Sequence, residues 1–132
     1  MKPYPIYTPN SPQAIGPYSQ AMGFGDFIFT SGSIALQANG EFVQGGIKEQ
    51  SEQVMQNLQA VLEASGSGLE YVLKTTCFLA DMGDFAVFNE VYAKAFGTHK
   101  PARSTIAVKS LPKDALVEVE VIALKSTSHT LH

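Results

Sequence analysis

The residue pattern predicts an α+β domain in which two helices cover one face of a sheet. Three observations carry this expectation. Two segments place apolar residues at helical spacing, several shorter segments are rich in β-branched residues, and the final strand has two chemically different faces. At 132 residues the chain is long enough for one core and too short for two.

The segment up to Pro17 holds most of the seven prolines and reads as extended chain with turns. Two short strands follow, Tyr18 to Met22 and Phe27 to Ser31, and Gly23, Gly25 and Asp26 between them suit the turn of a hairpin. Residues 37–46, with Asn39, Gly40, Gly45 and Gly46, read as a loop. The clearest helix runs from Ile47 to Ser65. Ile47, Val54, Leu58, Val61 and Leu62 recur at its apolar spacing, while Lys48, Glu49, Glu52, Gln53, Gln56 and Gln59 fill the other side. Gly66 ends it, since glycine takes the left-handed conformation that closes helices.

Val72 to Ala80 is a β-branched strand. Asp81 and Asp84 can each cap a helix start, and Phe85, Phe88, Val91, Tyr92, Ala95 and Phe96 then form an apolar stripe that stops at Gly97. Ser104 to Val108 and Leu116 to Lys125 complete the order β-β-α-β-α-β-β. Residues 1–125 form the domain, and 126–132 a polar tail.

The last strand carries a consequence for assembly. Val117, Val119, Val121 and Ala123 point one way, and Glu118, Glu120, Ile122 and Leu124 the other. Two helices cover only the first of these faces. The second would leave a sizeable apolar patch in water, so other copies of the chain are its simplest cover and a homo-oligomer is expected.

Composition excludes several classes of function. A net charge of −3 gives no basic excess to neutralise phosphates, so no nucleic-acid partner is expected. Cys77 is the only cysteine, which rules out an intrachain disulfide and a cysteine-based zinc cluster. Two of the three histidines, His129 and His132, lie in the last few residues; His99 is the third. No metal site is expected from such material. Lys2-Pro3-Tyr4-Pro5 breaks any signal-like start, and no apolar run approaches the length of about 20 residues that spans a bilayer. The expectation is a soluble, cytoplasmic protein without a membrane partner.

Among candidate functional residues, Arg103 is the only arginine; the other eight basic residues are lysines. A guanidinium offers a planar fork that grips a carboxylate through two parallel hydrogen bonds, which an ammonium cannot do. It lies in Pro101-Ala102-Arg103-Ser104-Thr105, at the expected entrance to a strand. Its commoner role would be an ion pair with Glu118, Glu120 or an acid of a neighbouring copy. Glu118 and Glu120 sit in a strand that otherwise reads as core, where a carboxylate needs a reason. Either could direct a water, or both could line a polar seam between subunits. Tyr18 reads as a strand aromatic, Ser31-Gly32 as a strand end open to close backbone approach, and Asn89 as an amide needing partners on an apolar helix. Cys77 has no basic cluster beside it in sequence and reads as a small core residue.

Ordered blocks then identify a resemblance over nearly the whole chain. They are Ala14-Ile15-Gly16-Pro17-Tyr18-Ser19-Gln20, Phe29-Thr30-Ser31-Gly32, Asn57 to Ala64, Lys74-Thr75-Thr76, Asp84-Phe85, Pro101-Ala102-Arg103-Ser104, and Leu111 to Glu120. Together they resemble the RidA (YjgF) imine-deaminase family. The resemblance implies a chorismate-mutase-like fold assembled as a homotrimer, with a central β-barrel, helices outside and clefts between subunits. It implies hydrolysis of 2-imino acids such as 2-iminopropanoate and 2-iminobutanoate, with their enamine tautomers, to 2-oxo acids and ammonia, with no cofactor. The family's carboxylate-binding arginine falls on Arg103 and its acid on Glu118, with Glu120 second in line. Its cleft tyrosine, serine and asparagine fall on Tyr18, Ser31 and Asn89, with backbone contacts from Gly32 and Thr105. Ser33, Ala35, Thr105, Ala107 and Phe88 depart from residues common in the family, and bear on substrate size and rate. Two alternatives stand beside catalysis: a non-catalytic regulatory protein that binds small carboxylates, and a ribonuclease or translation inhibitor.

Overall fold

The computed structural model describes residues 1–126. Six strands and two helices alternate along the chain: β1 (Tyr4–Ile6), β2 (Ala21–Phe24), β3 (Phe27–Thr30), α1 (Ile47–Ala64), β4 (Val72–Leu79), α2 (Phe85–Phe96), β5 (Ala102–Ala107) and β6 (Val117–Leu124). One sheet holds all six strands in the order β1-β2-β3-β6-β4-β5. The pairs are antiparallel except β4 with β5, which α2 joins as a parallel crossover.

The α+β expectation holds, with four adjustments. A strand, β1, precedes the expected hairpin and pairs with β2 along the sheet edge. Its Pro5 is tolerated because a proline without an N–H fits an edge strand. The hairpin itself starts later than expected, at Ala21, and turns at Gly25-Asp26, where Gly25 takes a positive φ of 59°. Asp81 caps a short 3-10 turn by accepting from the Gly83 N–H (2.8 Å), whereas Asp84 precedes α2 without a side-chain cap bond. Finally, β5 begins at Ala102, so Arg103 lies inside a strand and not at its entrance.

Both helices pack on one face of the sheet. Val54, Leu58 and Leu62 of α1 and Phe88 and Tyr92 of α2 join Val117, Val119, Val121 and Ala123 of β6 in a single core. The two-sidedness read from β6 is therefore real: its four small apolar residues are buried, Glu118 is half-buried and Glu120 exposed. The other face leaves Phe27, Phe29 and Ile106 between 44% and 47% exposed, an apolar patch alongside the acids. Cys77 is fully buried, and burial pushes its thiol up from its ordinary value, which fits a core residue. The expected tail begins at Ser126, whose N–H reaches Gly66 O (2.8 Å); the rest of it, 127–132, lies outside the described residues.

A buried amide fixes the N-terminal segment against this framework. Gln20 is 8% exposed; its Oε1 accepts from the Thr8 N–H (2.7 Å), and its Nε2 faces the carbonyls of Thr8 (3.1 Å), Ser11 (3.3 Å) and Pro12 (2.7 Å). Gln20→Ala strands these groups and is expected to cost about 2 kcal/mol. Urea unfolding would read the loss, and hydrogen exchange at Thr8 should accelerate more than exchange in α1.

Candidate active site

The expected site residues fall into two groups. Tyr18, Ser31, Gly32 and Glu118 line one cavity of about 640 Å³ between the N-terminal segment, β3, β6 and α1. Asn89, Arg103 and Thr105 lie elsewhere, on α2 and β5.

In the cavity, β6 supplies Glu118 and the chain leaving β3 supplies Ser31 and Gly32. The bridge between Ser33 and Val119 holds that chain against β6, through Ser33 N–H to Val119 O (2.8 Å) and Val119 N–H to Ser33 O (3.1 Å). Ser31 Oγ donates to Ser19 O (2.6 Å) and so ties the Tyr18 segment to β3. Gly32 is needed by contact: an added Cβ would overlap Oε2 of Glu118 and stand 2.8 Å from its Cδ. Burial pushes the Glu118 carboxyl up from its ordinary value, and the charge of Glu120 pushes it the same way. Gly32→Ala should therefore fold yet displace the carboxylate, and any turnover that relies on proton transfer at Glu118 should slow by about tenfold. Steady-state kinetics with unchanged thermal unfolding would check this.

The cavity extends well beyond these residues. Asn57 of α1 is 2% exposed and shapes its wall, donating from Nδ2 to Ile34 O (3.2 Å) and Leu36 O (2.8 Å). Lys113 also lines the cavity, on a turn where Lys113 and Asp114 both take positive φ (57° and 54°). Sequence reasoning missed both. The only available signal was an asparagine on the buried side of α1, and nothing in the residue order marks the Lys113 backbone.

The second group is built on α2. Phe85, Asn89 and Tyr92 share one helical stripe at i, i+4 and i+7. The Arg103 guanidinium sits against it, with Nη1 donating to Asn89 Oδ1 (2.7 Å) and Cζ lying 4.6 Å from the Tyr92 ring centre and 5.4 Å from that of Phe85. The expected intrachain ion pair with Glu118 or Glu120 is corrected: among the described residues the pair within 4.0 Å is Lys48–Glu52. Sheet register explains why. Thr75 pairs with both Arg103 and Val121, which puts Arg103 on the helix-covered face, while Glu118, three residues from Val121, points to the opposite face. Asn89 is thus engaged with Arg103 and not with helix packing. Thr105, in register with Cys77, lies on the same face as Arg103.

One chain thus presents a cationic fork and an acid that its own sheet keeps apart. Among the described residues no three His, Cys, Asp or Glu side chains cluster to hold a metal ion, and no helix is long and apolar enough to cross a membrane.

Known proteins share this architecture. The family model described as Endoribonuclease L-PSP matches residues 8–125. A RutC family protein of Pyrococcus horikoshii is 52% identical over 121 residues, covering 91% of this chain and 96% of its own. Reactive Intermediate Deaminase A of Arabidopsis thaliana, a chloroplastic protein, is 44% identical over 119 residues, or 89% of this chain and 64% of its own. The crystal structure of E. coli TdcF with bound serine matches with a TM-score of 0.88 at 38% identity, covering 93% of this chain and 99% of that one. With the model spanning nearly all of the chain and such identities behind it, this protein belongs to the YjgF/RidA/RutC family.

Proposed function

We propose that the protein hydrolyses 2-imino acids, 2-iminopropanoate and 2-iminobutanoate among them, to 2-oxo acids and ammonia. The observation that carries this reading is the division of the site. Arg103 is oriented but lacks an acid partner among the described residues, and Glu118 stands in a cavity with its proton affinity raised. A second copy bringing its Arg103 face to the Glu118 cavity would complete the site, and the exposed Phe27, Phe29 and Ile106 give the copies an apolar seam. Three copies around an axis would close the sheets into a barrel with three such clefts. The deaminase named among the relatives and the serine bound in TdcF support a small amino-acid-like ligand.

In this mechanism Arg103 grips the substrate carboxylate and fixes the imine carbon beside Glu118. Glu118 takes a proton from water as its oxygen bonds to that carbon, the C=N electron pair moves to nitrogen, and Glu118 returns the proton there to give a carbinolamine. The raised proton affinity suits the second relay: Glu118 takes the carbinolamine hydroxyl proton and delivers it to nitrogen, the C–N bond breaks as the C=O bond forms, and ammonia leaves a 2-oxo acid. Tyr18, Ser31, Gly32 and Thr105 shape the cleft. The reaction would run in the cytoplasm without metal or organic cofactor and without a nucleic-acid partner.

The test is to generate the imine with a dehydratase in the presence of a competing trap, and to follow oxo-acid release. Acceleration by the protein, with a solution mass of a trimer, is expected. No acceleration over the spontaneous rate, or a stable monomer, would defeat the reading. Glu118→Gln separates an enzyme from a mere carboxylate binder, because only the enzyme loses function while ligand binding persists.

A further inference from the structure

We propose that Tyr92, braced by Thr75, is the residue that positions the Arg103 guanidinium; the inference rests on the carboxylate-gripping role proposed for Arg103 above. Thr75 is fully buried in β4, and its Oγ1 lies 2.8 Å from the Tyr92 hydroxyl. The same Thr75 is the register partner of Arg103 on the adjacent strand. One residue of β4 therefore anchors the α2 ring on which its neighbour's guanidinium rests. Tyr92 is further held along α2 by Phe88 (5.7 Å between ring centres) and Phe96 (4.7 Å), and is 8% exposed. Cys77 completes the brace from below, its Sγ lying 3.7 Å from Thr75 Oγ1.

The arrangement answers a physical problem. Arg103 is exposed, and an exposed arginine samples many rotamers that substrate would have to freeze. Two ring faces and the Asn89 acceptor restrict it beforehand, while leaving most of its five N–H donors for a ligand. A phenylalanine at position 92 would retain the ring face but release it from β4. The Thr75 hydroxyl would then lose its tyrosine partner and keep only the weaker contact from Cys77 Sγ. The hydroxyl pair is what ties the ring, and through it the guanidinium, to the sheet.

Because the chain has a single arginine, protein labelled with 15N-arginine should give one Nε–Hε signal, and that signal reports this site alone. In the wild-type protein the proton is expected to be displaced by ring currents. Tyr92→Leu should return it toward the position of free arginine, and Thr75→Val should move it in the same direction by less. With 2-iminobutanoate, Tyr92→Leu should raise KM by about tenfold with kcat retained, because the grip acts alike on ground and transition states. Tyr92→Phe, which keeps the ring face but not the tie to Thr75, should restore only part of the lost affinity and resemble Thr75→Val. Should Tyr92→Leu fail to fold, Thr75→Val supplies both readouts. An undisplaced wild-type signal, a signal unmoved by the variants, or an unchanged KM in the folded variants would overturn the proposal. A displaced signal that moves in the variants, in a protein that does not hydrolyse imines, would uphold the positioning and refute the deaminase reading instead.

Discussion

Arg103→Ala is expected to lower kcat/KM for 2-iminobutanoate by about 10²–10⁴-fold while leaving fold and assembly intact. The size follows from what is removed: two charge-assisted hydrogen bonds to a carboxylate, each contributing about 1.5–3 kcal/mol in a cleft shielded from water. The sparing of the fold follows from where the side chain lies. It is exposed on β5, bonded to Asn89 and stacked on two rings, and among the described residues no acid pairs with it. Truncation should therefore change stability by no more than about 0.5 kcal/mol. Arg103→Lys should recover only part of the loss, since an ammonium keeps the charge but not the fork. The measurement is competitive trapping of enzymatically generated imine, alongside thermal unfolding and solution mass at one protomer concentration. Undiminished activity in folded Arg103→Ala would remove the residue from the mechanism, and with it the reason for a site shared between copies.

Much of this was legible in the residue order, and what was not has identifiable causes. The helical spacing of Val54, Leu58, Val61 and Leu62 placed α1 almost to the residue, and alternation in β6 separated the Val117 face from the Glu118 face. Burial forces both patterns, so they are written in sequence. The strand at Tyr4–Ile6 was hidden because Pro3 and Pro5 argue against β structure, although an edge position tolerates them. Tyr18, Ser19 and Gln20 fall outside β2: the Tyr18 N–H closes a tight turn onto Gly16 O, Ser19 O accepts from the Ser31 hydroxyl, and the Gln20 amide is engaged with the Thr8–Pro12 segment, none of which residue alternation reveals. The candidate site shows the same division. Arg103 was conspicuous as the sole arginine, but its partner Asn89 lies fourteen residues away on another element. A signal for that contact did exist, since Phe85, Asn89 and Tyr92 mark one helical stripe in which a lone amide interrupts aromatic residues. That Arg103 and Glu118 face opposite sides of the sheet could not be read from the sequence, because it depends on the register of β5 against β4 and of β4 against β6.

Glu118→Gln should separate catalysis from stability in opposite directions. An amide can neither take a proton from water nor return one to nitrogen, so kcat should fall by about 10²–10⁴-fold. Binding of the oxo-acid product should persist, because Arg103 is untouched. Stability should respond in the other sense. Burial and the neighbouring Glu120 raise the Glu118 pKa in the folded protein, so the unfolded chain ionises this group more readily. The folded state is consequently least penalised while the carboxyl is neutral, below its ordinary pKa of about 4.3. Stability from this group is lost as pH rises through the folded value. At neutral pH the wild-type protein carries that penalty and the glutamine variant does not. The variant should accordingly melt higher than wild type at pH 7.5, and the two curves should converge as the pH approaches 4. A lower melting temperature across the whole range would mean that the ionised carboxylate is instead held by a favourable partner, which a neighbouring copy's cation could supply. The sign of that difference therefore decides whether the acid stands in its cavity at the expense of the fold, as a group poised to exchange protons would, or serves as one half of a structural pair.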